Sequence, residues 1–337
     1  MLSLKSIILL CLIFDTFASS NTSIRELHVD LSLQPLGALD PNMNLTLTLV
    51  TGSAINTQLV ASYYQSIQGL TFLDRTDVDL KFSGRVQTLS QTLNTSFIEY
   101  KCPNDSKQNV CYASGPNVTL PASLSTVIVG ILGLETVITA EPRSMALGNS
   151  VPISRSTYPL FIGSQVAQVY AYPSSDGAFV NVGIITLGGY FKQSDLDAFF
   201  KLHSLGDAPP VTIVFVDNAT LDEVDVNDYS VDNYLSVEVI ASVVPNAIIT
   251  FYFAPNSMQG FYDAIRTALP LSDVVSCSWG KPESQTKDYW TSFETLLSAY
   301  KKVPFFVSSG KLGSKDDGTN KSVDFPASCP SAIGKMG

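Results

Sequence analysis

From Val180 onward the chain repeats one pattern, a short apolar run followed by a stretch with helical spacing, and that repetition restricts the folds open to it. The runs are Val180-Asn-Val-Gly-Ile-Ile-Thr-Leu187, Val211-Thr-Ile-Val-Phe-Val216, Ile248-Ile-Thr-Phe-Tyr-Phe253, Val274 to Ser278 and Phe305-Phe-Val307. Between them lie Ser194 to Leu205, Tyr229 to Val243, Ser257 to Leu269 and Gln285 to Tyr300. Because the runs are mostly apolar and do not strictly alternate, both faces of each strand are expected to be covered. Strands separated by full helices pair in parallel, since a parallel crossover needs a dozen or more residues. The spacing therefore predicts an α/β, doubly wound, mainly parallel sheet within residues 158–337.

The first half is built differently. Leu45-Thr-Leu-Thr-Leu-Val50 alternates with period two, as a half-buried strand does. Asn56 to Gln68 has helical spacing, Val78 to Phe82 reads as a strand, and Arg85 to Leu93 as a helix. Such short mixed elements predict a small α+β domain over residues 21–140. Residues 141–157, rich in Pro, Ser and Arg, read as a linker in which Arg143 and Arg155 are candidate trimming sites.

Met1 to Ser20 has the anatomy of a cleavable signal peptide: Lys5, the apolar run Ile7 to Phe14, then small residues at Ala18-Ser19-Ser20. That run is too short to span a bilayer, so no stable membrane insertion is expected. Asn21, Asn44, Asn94, Asn104, Asn117, Asn218 and Asn320 each open an Asn-x-Ser/Thr triplet, which fits export and glycosylation. Cys102 and Cys111 flank a short polar stretch and are expected to form a disulfide in an oxidising compartment. Cys277, within an apolar run, is either a buried thiol or a partner for Cys329. With 20 basic residues against 30 acidic ones and a net charge of −10, the chain lacks the basic footprint of a nucleic-acid binder.

Many short motifs then fall in one order. They are Gln168-Val-Tyr170, Val182-Gly-Ile-Ile-Thr-Leu-Gly-Gly-Tyr190, Val243-Val-Pro-Asn-Ala247, Tyr252-Phe-Ala-Pro-Asn-Ser257, Val275-Ser-Cys-Ser-Trp-Gly280, Val307-Ser-Ser-Gly310 and Asp324-Phe-Pro-Ala-Ser-Cys-Pro330. Together they resemble the sedolisins, the serine-carboxyl peptidases that include kumamolisin. Ser96 to Cys102, Leu120 to Leu124 and Val129 to Leu134 are similar to the end of that family's activation pro-domain. The resemblance implies a subtilisin-like sheet, a zymogen with an inhibitory pro-domain, a peptide or protein substrate, and work in an acidic compartment of secreted or lysosomal and vacuolar type. A monomer is expected.

The same resemblance implies a Glu and an Asp four residues apart on one helix face, a third Asp at the oxyanion, and a serine nucleophile. Here the Glu position falls on Asp232, the orienting Asp position on Ser236, and the oxyanion Asp position on Lys311. Glu238 is roughly 200° round the helix from Ser236 and cannot stand in for it. The family's Ser-Gly-Thr-Ser nucleophile segment and its calcium site lie beyond the residues that match, so no metal or cofactor is expected. A hydroxyl at Ser236 and an ammonium at Lys311 predict a chain that does not work as a peptidase. Two alternatives stand beside that reading: an inhibitor that binds active sedolisins through its pro-domain-like half, and a fragment of a longer acid endopeptidase.

Other chemistry is poorly supported. His28 and His203 are the only histidines, no Gly-x-Ser-x-Gly elbow occurs, and Gly310 to Gly318 lacks the order of a phosphate loop. The acidic stretch Asp222, Glu223, Asp225, Asp228 reads as a solvated approach to a helix N-terminus.

Overall fold

A computed structural model describes residues 21–25, 33–102, 110–143, 161–173, 175–222, 229–310, 313–318 and 321–335. They form two compact units, one ending at Ile138 and one beginning at Thr139.

The first unit runs β1 (Asn21–Arg25), β2 (Pro35–Ala38), β3 (Asn44–Val50), α1 (Ala54–Tyr64), β4 (Leu70–Arg75), β5 (Asp79–Arg85), α2 (Val86–Leu93), β6 (Phe97–Tyr100), β7 (Cys111–Ser114), β8 (Val118–Pro121), α3 (Ala122–Ser125) and β9 (Gly130–Leu132). Its main sheet is antiparallel in the order β4-β5-β3-β9. Register follows the alternation of β3: Leu47 lies opposite Phe82 and Leu49 opposite Leu80, all four buried. Val60, Leu89 and Leu93 from α1 and α2 join the same core. The helix α1 begins where the Ser53 hydroxyl accepts from Asn56 N–H, at 3.3 Å. It stops at Tyr64, short of the predicted Gln68, because Ser66 and Ile67 turn the chain toward β4. Cys102 and Cys111 form the expected disulfide.

The second unit contains β10 (Glu141–Pro142), α4 (Gly163–Val169), β11 (Asn181–Thr186), α5 (Gln193–Leu202), β12 (Val211–Phe215), α6 (Tyr229–Val243), β13 (Ile248–Phe253), α7 (Met258–Ala268), β14 (Val274–Cys277), β15 (Trp279–Pro282), α8 (Lys287–Ala299), β16 (Phe305–Ser308), β17 (Asp324–Phe325) and β18 (Ile333–Lys335). The doubly wound sheet is present: six parallel strands in the order β12-β13-β11-β14-β16-β18. Val182 and Ile184 of β11, Phe251 of β13, Leu196 and Phe200 of α5, and Val237 and Ala241 of α6 make one core. Elsewhere in the unit Phe293 of α8 meets the rings of Phe261, Tyr262 and Phe325 at 4.8–5.5 Å.

A smaller antiparallel sheet, β10-β15-β17, belongs to the same unit. Glu141 and Pro142, the first residues of the stretch read as a linker, are therefore strand residues paired with Gly280 and Trp279. Backbone pairing to β15 overrides the loop-like composition of this segment.

Candidate functional site

The site is built where α6 meets the end of β11. Asn233, buried on α6, fixes that contact: it accepts from the Thr186 hydroxyl at 2.6 Å and donates to Gly188 O at 3.0 Å. One residue before it stands Asp232, 5% exposed, and one helical turn further on stands Ser236. The two share a face of α6, as the spacing requires. The Ser236 hydroxyl lies 3.4 Å from that of Ser278, in the link between β14 and β15. Tyr229, at the start of α6, packs edge-on against the Trp279 ring at 4.9 Å. Lys311 lies outside the described residues. Glu238 is half-buried, and burial raises its carboxyl above the usual range.

Ser278 also receives a second element. Its carbonyl accepts from the backbone N–H of Arg143 at 2.7 Å, which continues the β10–β15 pairing by one residue. The Arg143 side chain is enclosed, with Nε 2.6 Å from Asp324 Oδ2 and a terminal nitrogen 3.1 Å from Asp316 Oδ2. Two glycines make room for these carboxylates. A β-carbon on Gly280 would stand 2.1 Å from Asp324 Oδ1, and one on Gly310 would stand 2.2 Å from Asp316 Oδ1. Gly310 also adopts φ +86°, which other residues rarely do.

One guanidinium faces two buried carboxylates, so the cluster is neutral when one of them keeps its proton. Asp324 is that group: burial pushes its carboxyl up to about 8, Arg143 draws it back, and Asp316 pushes it further up.

No family model matches the chain. Kumamolisin of Bacillus sp. (strain MN-32) is 34% identical over an alignment of 292 residues that covers 79% of this chain and 51% of kumamolisin. The chain is a sedolisin-family homologue. It spans about half the length of the curated relative it matches. Among solved structures, Pseudomonas sedolisin (serine-carboxyl proteinase) complexed with two molecules of pseudo-iodotyrostatin aligns with a TM-score of 0.45 and 22% identity, over 51% of this chain and 52% of that one.

In this sedolisin homologue the structure brings Ser236 beside Ser278 and buries Asp232 one helical turn before Ser236; the sequence motif singled out Asp232 and Ser236. The structure adds Arg143, Asp316 and Asp324, which sequence reasoning missed. Arg143 was expected to be an accessible trimming site and is 4% exposed. Asp324 was legible only as a letter in the Asp-Phe-Pro motif. Asp316 sits in a Gly- and Lys-rich stretch that reads as plain loop. The nearest signal was the pair of glycines, Gly280 within β15 and Gly310 just after β16, where bulk would be expected.

The remaining candidates are dispersed. Asn44, Asn94, Asn117 and Asn218 are exposed, while Asn104 and Asn320 lie outside the described residues, as does His28. His203 is exposed at the end of α5 beside the Phe199 ring. Cys277 and Cys329 are buried and not joined to each other; the Cys277 thiol donates to Trp279 O at 3.4 Å. Among the described residues no helix is long and apolar enough to cross a membrane, and no group of three His, Cys, Asp or Glu could hold a metal ion.

Proposed function

We propose that this sedolisin homologue is a secreted protein that binds extended peptides and does not hydrolyse them by the serine-carboxyl mechanism. The observation that carries the reading is the Ser236–Ser278 contact, a pair of hydroxyls 3.4 Å apart at the position of the orienting carboxylate. A carboxylate acting as base toward a serine must be held in place and oriented by a second group that shares its proton. A hydroxyl at Ser236 can share a hydrogen bond with Asp232's side of the helix, yet it supplies no charge and takes up no proton at acid pH. Lys311, at the oxyanion position of the sequence motif, brings a fixed positive charge where a protonated Asp would donate.

Export and glycosylation fit this reading. Four sequon asparagines, Asn44, Asn94, Asn117 and Asn218, are exposed, and a disulfide joins Cys102 to Cys111.

The test is a peptidase assay on the secreted, purified chain across pH 3 to 6, read by mass spectrometry on mixed peptides. No cleavage above buffer is expected. Turnover that disappears in Asp232→Ala would overturn the proposal. The same preparation should begin near Asn21 and lose mass on deglycosylation.

A further inference from the structure

The six-stranded sheet has an open margin at β12. Val216, just past that strand, donates its N–H to Phe253 O at 2.7 Å. Backbone groups of successive residues point to opposite sides of a strand. Thr212 and Val214 therefore also face β13, while Val211, Ile213 and Phe215 face the open side. The Val211 N–H is taken by the Gln193 side chain at 3.0 Å. Among the described residues no partner meets the Ile213 or Phe215 backbone on that side. The strand then stops, because Asp217 and Asn218 both adopt left-handed conformations, at φ +50° and +58°.

Proteins commonly blunt such margins with charges, proline or a bulge. Val211–Val216 holds no charged residue and keeps one unbroken register with β13 through Phe215. Proline occurs only ahead of it, at Pro209 and Pro210. Phe215 is 49% exposed even though its ring lies 6.2 Å from that of Phe253. A free peptide gains its specificity in strand addition from side-chain pockets. Here it would meet β-branched side chains and one open ring. A second copy of the chain brings a strand that is already ordered, so it surrenders less freedom on pairing.

We infer that β12 is a self-association edge, through which two copies of this chain join their sheets antiparallel about a two-fold axis at Val214. Ile213 then exchanges both hydrogen bonds with the partner's Phe215, and Phe215 with the partner's Ile213. Each exposed ring is covered by a β-branched side chain, a favourable cross-strand pair. Asp217 falls opposite the partner's Val211, so no like charges meet. Moving the axis to Ile213 would set Phe215 against the partner's Val211, whose N–H Gln193 already holds. Moving it to Phe215 would call on Asp217, which lies in the left-handed turn. One register survives. A strand pair this short covers less surface than a permanent dimer does, so the association is reversible. At low concentration the chain remains the monomer that the resemblance implies.

The experiment uses the full chain freed of N-glycans, because Asn218, three residues past Phe215, opens an exposed Asn-x-Thr triplet. Sedimentation equilibrium over about 5–500 µM should give a mass that rises with concentration from one chain toward two. Phe215→Lys sets an ammonium against the partner's Ile213 and should weaken association at least about tenfold. Single cysteines read the register. Val214→Cys places two thiols opposite each other in a non-hydrogen-bonded pair, where Cα atoms stand about 4.5 Å apart, within disulfide reach. Thr212→Cys falls opposite the partner's Val216. In a glutathione redox buffer, Val214→Cys should give a disulfide-linked dimer on a non-reducing gel. Thr212→Cys should not, and neither should the wild type, whose Cys277 and Cys329 are buried.

A chain that keeps the mass of one copy at every concentration overturns the interface. Cross-linking of Thr212→Cys as readily as Val214→Cys overturns it too. If the mass of one copy persists while a labelled peptide Val-Thr-Ile-Val-Phe-Val binds, the margin takes a free strand, and the second copy is overturned as its occupant. Should Phe215→Lys fail to fold, the two cysteine variants still decide, since neither position is buried.

Discussion

Arg143 Nε stands 2.6 Å from Asp324 Oδ2, and both side chains are shut off from solvent. This pair joins a segment of loop-like composition to the strand that follows the Gly-rich stretch, across nearly two hundred positions of sequence. It ties β10 to β17 on the two sides of β15.

Removal of the cation should be costly. Arg143→Ala leaves two carboxylates in a closed space with no counter-charge, and breaking one side of a buried pair typically costs about 3–5 kcal/mol. Because Asp324 can hold a proton, the loss should fall toward the lower end of that range. Equilibrium denaturation in urea at neutral pH measures it. A loss under about 1 kcal/mol would mean the cluster is open to water.

Stability should decline as pH rises through the neutral range. The Asp324 carboxyl is raised to about 8 in the folded chain, against an ordinary value of about 3.9 in an unfolded one. Between those values the folded state holds a proton that the unfolded state has released, so the slope of unfolding free energy with pH is negative there. The contribution is full below about pH 4 and is lost as pH approaches 8. Melting temperatures taken from pH 4 to 8.5 should show the fall, and Asp324→Asn should flatten it.

Three glycines separate crowding from backbone strain. Gly280→Ala puts a methyl 2.1 Å from Asp324 Oδ1 and 2.7 Å from Phe325 O, so the β15–β17 pairing must shift. Gly310→Ala adds the same crowding, against Asp316, to a φ of +86°. Gly313→Ala has a φ of +62° with nothing within 4 Å and should lose only the left-handed backbone penalty, about 1–2 kcal/mol. Melting curves should rank Gly310→Ala as more damaging than Gly313→Ala. The reverse order would show that Asp316 moves aside freely.

Asn233→Ala should loosen the site without touching its charged groups. It removes the bonds of Asn233 to the Thr186 hydroxyl and to Gly188 O in a buried place, while the Thr186 hydroxyl, 3.1 Å from Gly188 O, can still serve that carbonyl, so the loss should be about 1 kcal/mol. Hydrogen exchange should speed up over the first turns of α6 and remain slow in α7. Uniform acceleration through both helices would assign Asn233 a global role instead of this local one.

Much of the second unit was legible before any coordinates. Tyr229–Val243 and Ile248–Phe253 are the predicted elements to the residue, and the remaining helices and strands of that pattern shift by one to three positions at their ends. The first unit was harder. β4, mostly exposed along Leu70–Arg75, carries no apolar alternation to betray it, and α1 ends a turn early where local turn bonds take over from helical spacing.

What the sequence determined by itself was periodic and local. Apolar runs of strand length between helix-length stretches dictate a parallel sheet, because no other arrangement covers both faces of each strand. The four-residue step from Asp232 to Ser236 puts both on one helix face whatever surrounds them. The tertiary structure alone decided which distant residues meet. Arg143 lies in a polar segment that composition marks as linker, and only the free edge of β15 turns it into a strand. Asp316 and Asp324 become a pocket only because Gly280 and Gly310 lack β-carbons at the points where the carboxylates approach. Contacts of that kind depend on backbone proximity between remote segments, and no periodicity in a single chain encodes it.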